Sequence, residues 1–358
     1  MSLKRELPAK FAAQVIAWQR VHGRHDLPWQ GSDPYRVWLS EVMLQQTQVG
    51  TVRAYFDRFV ARFPDVLALA AASVDDVLAL WSGLGYYGRA RNLHRAAQAI
   101  VAEHGGEFPR SSAALATLPG IGRSTAAAIA AFSFGERVAI LDGNVKRVLA
   151  RVLAFAGDLA GTQAERELWS AATALLPERD IEAYTQGLMD LGATICLARA
   201  PLCLLCPVHG LCRAARAGTQ DRYPVKTRRG ARGHRDHVWL ELRRQDRIWL
   251  VRREATGIWA GLWSLPEFDS SEALREAAAD WPGHAVELAP FTHVLTHLDW
   301  TLRPVRWTLP ARTPARVLTA IEALWPSGRW FDVDEALRLG LPAPLRKRLA
   351  AEEGSAAA

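Results

Sequence analysis

Two acidic residues about a hundred positions apart stand where a carboxyl group would be held in a fixed place. Glu41 lies in "LSEVMLQQTQV", in which Val37, Trp38 and Leu44 share its face at helical spacing. Asp142 lies in "LDGNVKRV", where it is placed to cap a strongly amphipathic helix. Burial favours a neutral glutamate, whereas a capping carboxylate stays ionised beside the helix dipole. Such a pair suits acid-catalysed bond cleavage, with one proton donor and one stabiliser of a developing cation.

Each acid also has a simpler interpretation. Ionised glutamates are seldom fully buried, so Glu41 could be a partly exposed residue beside solvated amides. Asp142 could be an N-cap and nothing more. The two interpretations of Asp142 are compatible, because a cap holds its carboxylate rigidly.

A second set of chemically competent residues is a cysteine cluster with the spacing C-x6-C-x2-C-x5-C. Four thiolates in so short a segment favour metal or cluster ligation over disulfides, and both zinc and a [4Fe–4S] cluster accept such a set. Arg199, in the longest loop between cysteines, is a candidate for contact with phosphate. The candidate ligands are Cys196, Cys203, Cys206 and Cys212.

A helix, a tight turn and a second helix are predicted in "ALATLPGIGRSTAAAIAAF", over about residues 112–134. Gly120 and Gly122 permit a turn at which the backbone approaches a partner closely. The free N–H groups that open the second helix could hold a phosphate. A plain helical hairpin would also use glycine, so the turn alone is only suggestive.

The composition is that of an ordinary soluble protein with a basic balance. The 358 residues include 49% hydrophobic and 23% charged residues, with a net charge of +7. This charge favours a polyanionic partner such as nucleic acid. No long apolar segment stands out, and we expect a cytoplasmic, nucleoid-associated monomer without membrane contact.

These residues must be positioned by two domains of different class. Residues 1–217 have helical periodicity throughout, and "SDPYR" supplies a capping Asp33 and a first-turn Pro34 before the helix of Glu41. A basic linker at 218–234 precedes a smaller α/β domain at 235–350, which opens with the predicted β-hairpin "HVWLELRRQDRIWLVRR". Residues 351–358 are expected to be a frayed tail.

Taken in order, "SEVMLQQTQV", "GLGYYGRARNL", "LPGIGRSTA", "LDGNVKRV" and the cysteine pattern resemble the adenine DNA glycosylases (MutY family) of the helix-hairpin-helix superfamily. The C-terminal domain resembles the Nudix-like (MutT-like) domain of that family. The resemblance implies an all-α helix-hairpin-helix glycosylase domain followed by an α/β Nudix-like domain. It also implies a base-excision enzyme that removes adenine mispaired with 8-oxoguanine, or less selectively with guanine, in double-stranded DNA.

The resemblance also implies roles for individual residues. Glu41 matches the general acid, and Asp142, with Asn144 beside it, matches the aspartate that stabilises the oxocarbenium ion. Gln46 and Tyr86 match side chains that wedge into the duplex. The turn with Leu118, Gly120 and Gly122 matches a phosphate-gripping hairpin that often holds a monovalent cation. The cysteines match ligands of a [4Fe–4S] cluster rather than zinc. Whether Asp142 forms a covalent adduct stays open.

One departure concerns strand cleavage. The related endonuclease III carries a nucleophilic lysine where this sequence has Ser124, so the resemblance implies a monofunctional glycosylase. The part of Ser124 in catalysis stays open. Because Lys146 lies one turn from Asp142, a weak lyase activity through this lysine is one alternative. A bifunctional glycosylase and lyase of the endonuclease III kind is another.

Another departure concerns the C-terminal domain. Gly261, Glu267, Arg275 and Glu276 keep the frame of a Nudix pyrophosphatase, but its final two acids are replaced by Ala279 and Asp280. We therefore expect a recognition module, with a pyrophosphatase of oxidised nucleotides as an alternative. Leu295, Thr296 and His297 match the family's loop for 8-oxoguanine, although a plain β-strand fits their spacing as well. A non-catalytic iron–sulfur DNA-binding protein is a third class, against which the pair Glu41 and Asp142 argues.

Overall fold

The computed structural model describes residues 3–227 and 230–356, which group into two compact units. One unit contains residues 1–70 and 95–229, and the other contains residues 71–94 and 230–358. The change of pattern along the sequence predicts that the helical domain ends at residue 217. In the structure the segment 71–94 belongs by its contacts to the C-terminal unit instead.

The N-terminal half of the chain is helical, as predicted. Apolar residues at helical spacing, among them Phe11, Val145, Leu149, Tyr184 and Leu191, form the core of the first unit. None of the described helices is long and apolar enough to cross a membrane. The helices are α1 (Leu3–His22), α2 (Pro34–Leu44), α3 (Val49–Arg62), α4 (Val66–Ala71), α5 (Val74–Trp81), α6 (Gly88–His104), α7 (Ser112–Leu115), α8 (Arg123–Phe134), α9 (Gly143–Leu153), α10 (Thr162–Ala174), α11 (Ile181–Thr194) and α12 (Arg213–Arg216).

The C-terminal half contains a mixed β-sheet together with helices, in agreement with the predicted α/β class. The long strands β1 and β7 run parallel, from Gly233 opposite Leu298 to Arg244 opposite Leu309. The predicted hairpin is present, because β1 and β2 are antiparallel and Arg244 faces Arg247. The strands are β1 (Gly233–Arg244), β2 (Arg247–Arg252), β3 (Trp263–Ser264), β4 (Glu267–Phe268), β5 (His284–Glu287), β6 (Phe291–Val294), β7 (Leu298–Leu309) and β8 (Gly328–Asp332). The helices are α13 (Ser271–Ala277), α14 (Ala315–Leu324), α15 (Val333–Leu337) and α16 (Ala343–Ala356).

Two segments that the sequence analysis treated as irregular are partly ordered. Within the predicted linker, the Thr227 N–H donates to Asp158 at 3.1 Å, and the Leu159 N–H donates to the Val225 carbonyl at 3.1 Å. These bonds attach the start of the linker to the first unit. At the other end of the chain, α16 continues to Ala356, past the start of the predicted tail at residue 351, and residues 357–358 lie outside the described residues.

Candidate active site

Helix α2 carries Glu41 and begins as the sequence predicts. Asp33 caps it by accepting the Tyr35 N–H at 3.0 Å, and Pro34 is its first residue. Val37 and Trp38, on the face of Glu41, are buried. The apolar face of the helix therefore holds the glutamate against the interior of the first unit, close to the C-terminal end of α2.

The carboxyl group of Glu41 is withdrawn from water at one wall of a cleft. Burial raises its pKa to about 8, and the charge of Asp142 contributes to the rise. Glu41 is therefore mainly protonated at neutral pH and can donate a proton. The other walls of the cleft are formed by apolar and amide side chains, among them Leu27, Trp29, Gln30, Gln186 and Met189.

Asp142 caps α9, accepting the Val145 N–H at 2.7 Å. The Ser124 hydroxyl accepts the Leu141 N–H at 3.1 Å, which fixes the backbone just before the cap. Burial raises the pKa of Asp142 above its ordinary value, against the N–H bonds of the helix start and the charges of Arg147 and Lys146. The capping motif in the sequence predicts an ionised carboxylate but gives no sign of this burial.

Asn144 is held by a residue that the sequence analysis did not single out. Arg147 donates to the Asn144 side-chain oxygen at 2.8 Å and to the Gly192 carbonyl at 2.6 Å. A Cβ atom on Gly192 would lie 2.6 Å from the Asn144 Cβ, so glycine is required for this close packing of α11 on α9. A third bond, from Arg147 to the Cys196 carbonyl at 2.7 Å, joins the helix of Asp142 to the cysteine segment.

Lys146, the alternative nucleophile, already has a partner. Its Nζ lies 2.5 Å from a carboxylate oxygen of Glu165 on α10. The ammonium also lowers the pKa of Asp142, so it lies within electrostatic reach of the acid pair. Lys146 is thus near the site, and its amine is engaged by Glu165.

All four predicted ligand cysteines line a single cavity, with apolar residues such as Val148, Leu191 and Val208 around them. Each is a free thiol. Over the described residues, no three His, Cys, Asp or Glu side chains converge closely enough for one metal ion. Four cysteine sulfurs that line one cavity form a ligand set that an iron–sulfur cluster accepts. Burial raises the pKa of Cys206 to about 12, so binding must displace protons.

The predicted hairpin links α7 to α8. Gly120 has φ of +75°, a backbone conformation that glycine adopts without steric cost, which explains why this position is a glycine. Gly122 has an ordinary φ of −78°, and apart from its neighbours in the chain no described atom lies within 4 Å of where its Cβ would be. Its lack of a side chain serves no internal packing and leaves the start of α8 open to a partner. Leu118, in the same turn, is buried, whereas Arg199 in the cysteine segment is exposed.

Both candidate wedge residues have left-handed backbone, which is uncommon for residues with a side chain. Gln46, just after α2, has φ of +59°, and Tyr86, before α6, has φ of +50°. The side chains of both are exposed, Tyr86 by 48%. The Tyr86 ring lies 5.5 Å from the guanidinium of Arg89. Strained residues that project exposed side chains are typical of functional sites.

The three candidates for lesion recognition lie in the turn between β6 and β7. The Leu295 N–H donates to the Leu298 carbonyl at 2.8 Å, and Thr296 and His297 are exposed at the tip. The alternative of a plain strand in the core is therefore wrong. Within the second unit, the Thr296 hydroxyl lies 3.2 Å from the hydroxyl of Tyr86, 210 positions earlier in the sequence.

The Nudix frame in the second unit is engaged in other contacts. Glu267, on β4, forms an ion pair with Arg253. Arg275 pairs with Glu272 at 2.7 Å, and Glu276 is exposed. The positions Ala279 and Asp280 lie beyond the end of α13.

Comparisons with known proteins agree with this architecture. Residues 39–173 match the family model of the HhH-GPD superfamily base excision DNA repair proteins, and residues 237–351 match that of the NUDIX domain. An adenine DNA glycosylase of Buchnera aphidicola subsp. Acyrthosiphon pisum is 34% identical over 95% of this chain and 96% of its own length. The human adenine DNA glycosylase is 32% identical over 91% of this chain and 70% of its own length.

The fold of the helical part also occurs in a solved structure. A non-covalent endonuclease III–DNA complex covers 62% of this chain and 100% of its own, with a TM-score of 0.52 and 21% sequence identity. At that identity the match concerns the fold alone. The relatives that align along nearly the whole length carry the assignment. The chain therefore belongs to the adenine DNA glycosylase family, within the HhH-GPD superfamily of base excision DNA repair proteins.

Proposed function

We propose that this protein is a monofunctional DNA glycosylase that removes adenine opposite 8-oxoguanine and, less selectively, opposite guanine. The observation that carries the proposal is the pair of carboxyl groups in the first unit. Glu41 is a desolvated acid whose pKa of about 8 keeps it protonated at neutral pH, and Asp142 is fixed by a helix cap. The family of the chain supports adenine as the base released.

The chemistry follows from these two environments. Glu41 donates its proton to a ring nitrogen of the extruded adenine, and the bond from N9 to the sugar carbon C1′ breaks with its electrons on the base. Asp142 stabilises the positive charge left on the sugar. Water adds to C1′ and returns a proton to Glu41. Transient attack of Asp142 on C1′, followed by hydrolysis, gives the same products.

DNA contacts are proposed for three exposed features of the first unit. The open start of α8 at Gly122 offers backbone N–H groups to a phosphate. Gln46, on strained backbone, would enter the gap left by the base. Arg199 can contact phosphate from the cysteine segment. A monovalent cation on the carbonyls of the hairpin turn is part of the same proposal.

The second unit would recognise the base opposite adenine. Tyr86 and Thr296 present two neighbouring hydroxyl groups, and His297 lies next to Thr296 at the tip of the turn. A hydroxyl can pair with the N7–H or O8 that distinguishes 8-oxoguanine from guanine. The ion pair of Glu267 with Arg253 argues against the alternative of nucleotide hydrolysis, because this carboxylate is not free to bind Mg²⁺.

A [4Fe–4S] cluster is the proposed occupant of the cysteine cavity. When bound, it would stabilise the segment 196–212, since metal binding and local folding are coupled. Monofunctional action is supported by Ser124 at the position of the lysine in endonuclease III and by the pairing of Lys146 with Glu165.

Single-turnover base release from duplexes with A:8-oxoguanine, A:G or A:T tests the proposal. Glu41→Gln and Asp142→Asn should each lower the rate on A:8-oxoguanine by about 10²–10⁴-fold, because each removes one essential group. Glu103→Gln, an exposed glutamate on α6, is the matched control and should leave the rate unchanged. For the wild type, the rate should fall about tenfold per pH unit above pH 8, where Glu41 loses its proton.

Four outcomes would contradict parts of the proposal. Full activity of Glu41→Gln would contradict the assignment of Glu41 as the general acid. Release of adenine from A:T at the same rate would contradict the proposed specificity for mispairs. Strand scission that borohydride traps efficiently would favour the bifunctional alternative, and hydrolysis of free 8-oxo-dGTP would favour the pyrophosphatase.

A further inference from the structure

Arg151 is a buried cation on α9, two turns and a half beyond Asp142 in the same helical segment. Only 2% of its surface is exposed. Its guanidinium donates to the carbonyls of Leu197 at 2.6 Å and Ala198 at 3.3 Å, both just after the first cysteine. It also donates to the carbonyls of Gln220 at 3.0 Å and Tyr223 at 3.2 Å, beyond the last cysteine. One side chain thus ties together both ends of the cysteine segment.

The same residue contacts the sulfur atoms directly. Its Nη1 lies 3.3 Å from the Sγ of Cys196, and its own backbone carbonyl accepts a bond from the Cys212 thiol at 3.4 Å. Arg151 also lines the cavity that the four thiols surround. It is therefore in contact with the first and the last candidate ligand at once.

In the part of the chain that the structure describes, the charge of Arg151 has no carboxylate partner. Within the described ranges, every hydrogen-bond acceptor of its guanidinium is a backbone carbonyl or the Cys196 sulfur. A buried charge is costly unless an opposite charge compensates it. Thiolates that ligate a metal centre are negatively charged and would supply this compensation.

Arg147 provides a contrast on the same helix. It is less buried, and its bonds go to the side chain of Asn144 and to the carbonyls of Gly143, Gly192 and Cys196. None of these bonds is to a sulfur atom. Arg147 therefore holds the backbone around the acid, whereas Arg151 reaches the ligand itself.

We propose that Arg151 is a positioning residue of the metal centre, which closes the cysteine segment and supplies the positive charge that the ligated thiolates require. The inference about charge rests on the proposed cluster, whereas the closure of the cysteine segment by Arg151 depends only on contacts within this chain. Loss of the guanidinium should loosen the segment 196–223 and destabilise the charge of the bound centre. Partners of this kind around metal ligands typically change metal affinity by about 10–100-fold.

The test compares wild type with Arg151→Lys, Arg151→Gln and the surface control Arg166→Gln on the full chain. Metal content per chain, the rate of metal loss to a chelator and the reduction potential of the centre are measured. Hydrogen exchange of residues 196–223 is measured on metal-depleted protein. Arg151→Gln should lose metal at least about tenfold faster and exchange faster in this segment. Its potential should become more negative, because a nearby positive charge favours the reduced centre.

The remaining variants separate charge from shape. Arg151→Lys should keep a potential near that of wild type while losing metal faster, since lysine retains the charge without the planar fork. Arg166→Gln should match wild type in every measurement. If Arg151→Gln loses metal and exchanges hydrogen at the wild-type rates, the positioning role of Arg151 is overturned. If these two rates change but the reduction potential of the centre does not, its role as a counter-charge is overturned. A wild type with zinc or without metal would overturn the proposed cluster, and exchange in the metal-depleted variants would still decide the positioning role.

Discussion

Two desolvated glutamates, one in each unit, have pKa values shifted in opposite directions. Burial and the charge of Asp142 raise the pKa of Glu41 to about 8. Glu241, on β1, is only 1% exposed, yet its pKa is lowered. Three guanidinium groups surround it, and the carboxylate is bonded to Arg243 at 2.9 Å, Arg306 at 2.8 Å and Arg348 at 3.0 Å.

The difference shows that burial alone does not decide what a carboxyl group does. Desolvation opposes the charge at both positions, and over the described residues it is outweighed by neighbouring cations at Glu241 but not at Glu41. Glu241 is consequently fixed as a structural anion that holds β1, β7 and α16 together. Among the described residues no cation offsets the burial of Glu41, so this glutamate keeps a proton that can be transferred.

The two glutamates should respond to pH and to amide substitution in opposite directions. The folded pKa of Glu41 lies above its unfolded value of 4.5, so its stability contribution is lost as pH rises from about 5 to 8. The folded pKa of Glu241 is lowered, so its contribution is lost as pH falls below 4.5. At pH 8 to 9, Glu41→Gln should therefore stabilise its unit, by on the order of a few kcal/mol. Glu241→Gln should destabilise its unit by about 3–5 kcal/mol, because unpaired buried cations remain.

Hydrogen exchange reports the two effects separately, on α2 for Glu41 and on β1 for Glu241. Exposed Glu103→Gln is the control for charge removal without burial. Destabilisation by both variants at pH 9 would contradict the comparison, since it would mean that Glu41 is ionised and paired.

The same rule about partners can be tested on a lysine. Glu165→Gln would release the Lys146 amine, which could then attack C1′ of the base-free sugar and form an imine with loss of water. The amount of adduct trapped by borohydride should rise severalfold. Glu167→Gln, on the same helix, is the matched control. An increase that persists in the double variant with Lys146→Ala would exclude this lysine, and no increase would show that Glu165 does not restrain it.

The smallest change in activity is expected for the exposed, uncharged hydroxyl pair of Thr296 and Tyr86. Thr296→Val keeps the shape of the residue but removes the hydroxyl next to Tyr86. One hydrogen bond of this kind contributes about 0.5–1.5 kcal/mol, so the preference for A:8-oxoguanine over A:G should fall by roughly two- to tenfold. The ratio of single-turnover rates on the two duplexes measures it, with exposed Thr292→Val on β6 as control. Equal loss on both duplexes would argue against a part in lesion recognition.

Local features of the site could be predicted from the sequence because their causes are local. The caps at Asp33 and Asp142 depend on residues two or three positions away, and both are observed. The partial burial of Glu41 follows from the apolar face of its own helix. The fold class of each half follows from periodicity in the same way.

Contacts over long sequence separations could not be predicted. The roles of Arg147 and Arg151 depend on the segment around Cys196 folding back more than forty positions later. On the helical pattern alone, both are ordinary basic residues of an amphipathic helix. The contact between Tyr86 and Thr296 joins residues 210 positions apart, and the turn at Thr296 shows alternation that a strand would also show.

The left-handed backbone at Gln46 and Tyr86 has a consequence for directed evolution. Glycine or asparagine adopts this conformation at lower cost, by on the order of 1 kcal/mol for glycine. A library selected for heat resistance alone should therefore accumulate these residues at positions 46 and 86. A library selected for a low mutation rate in its host should retain glutamine and tyrosine, so the two selections would diverge at these two codons.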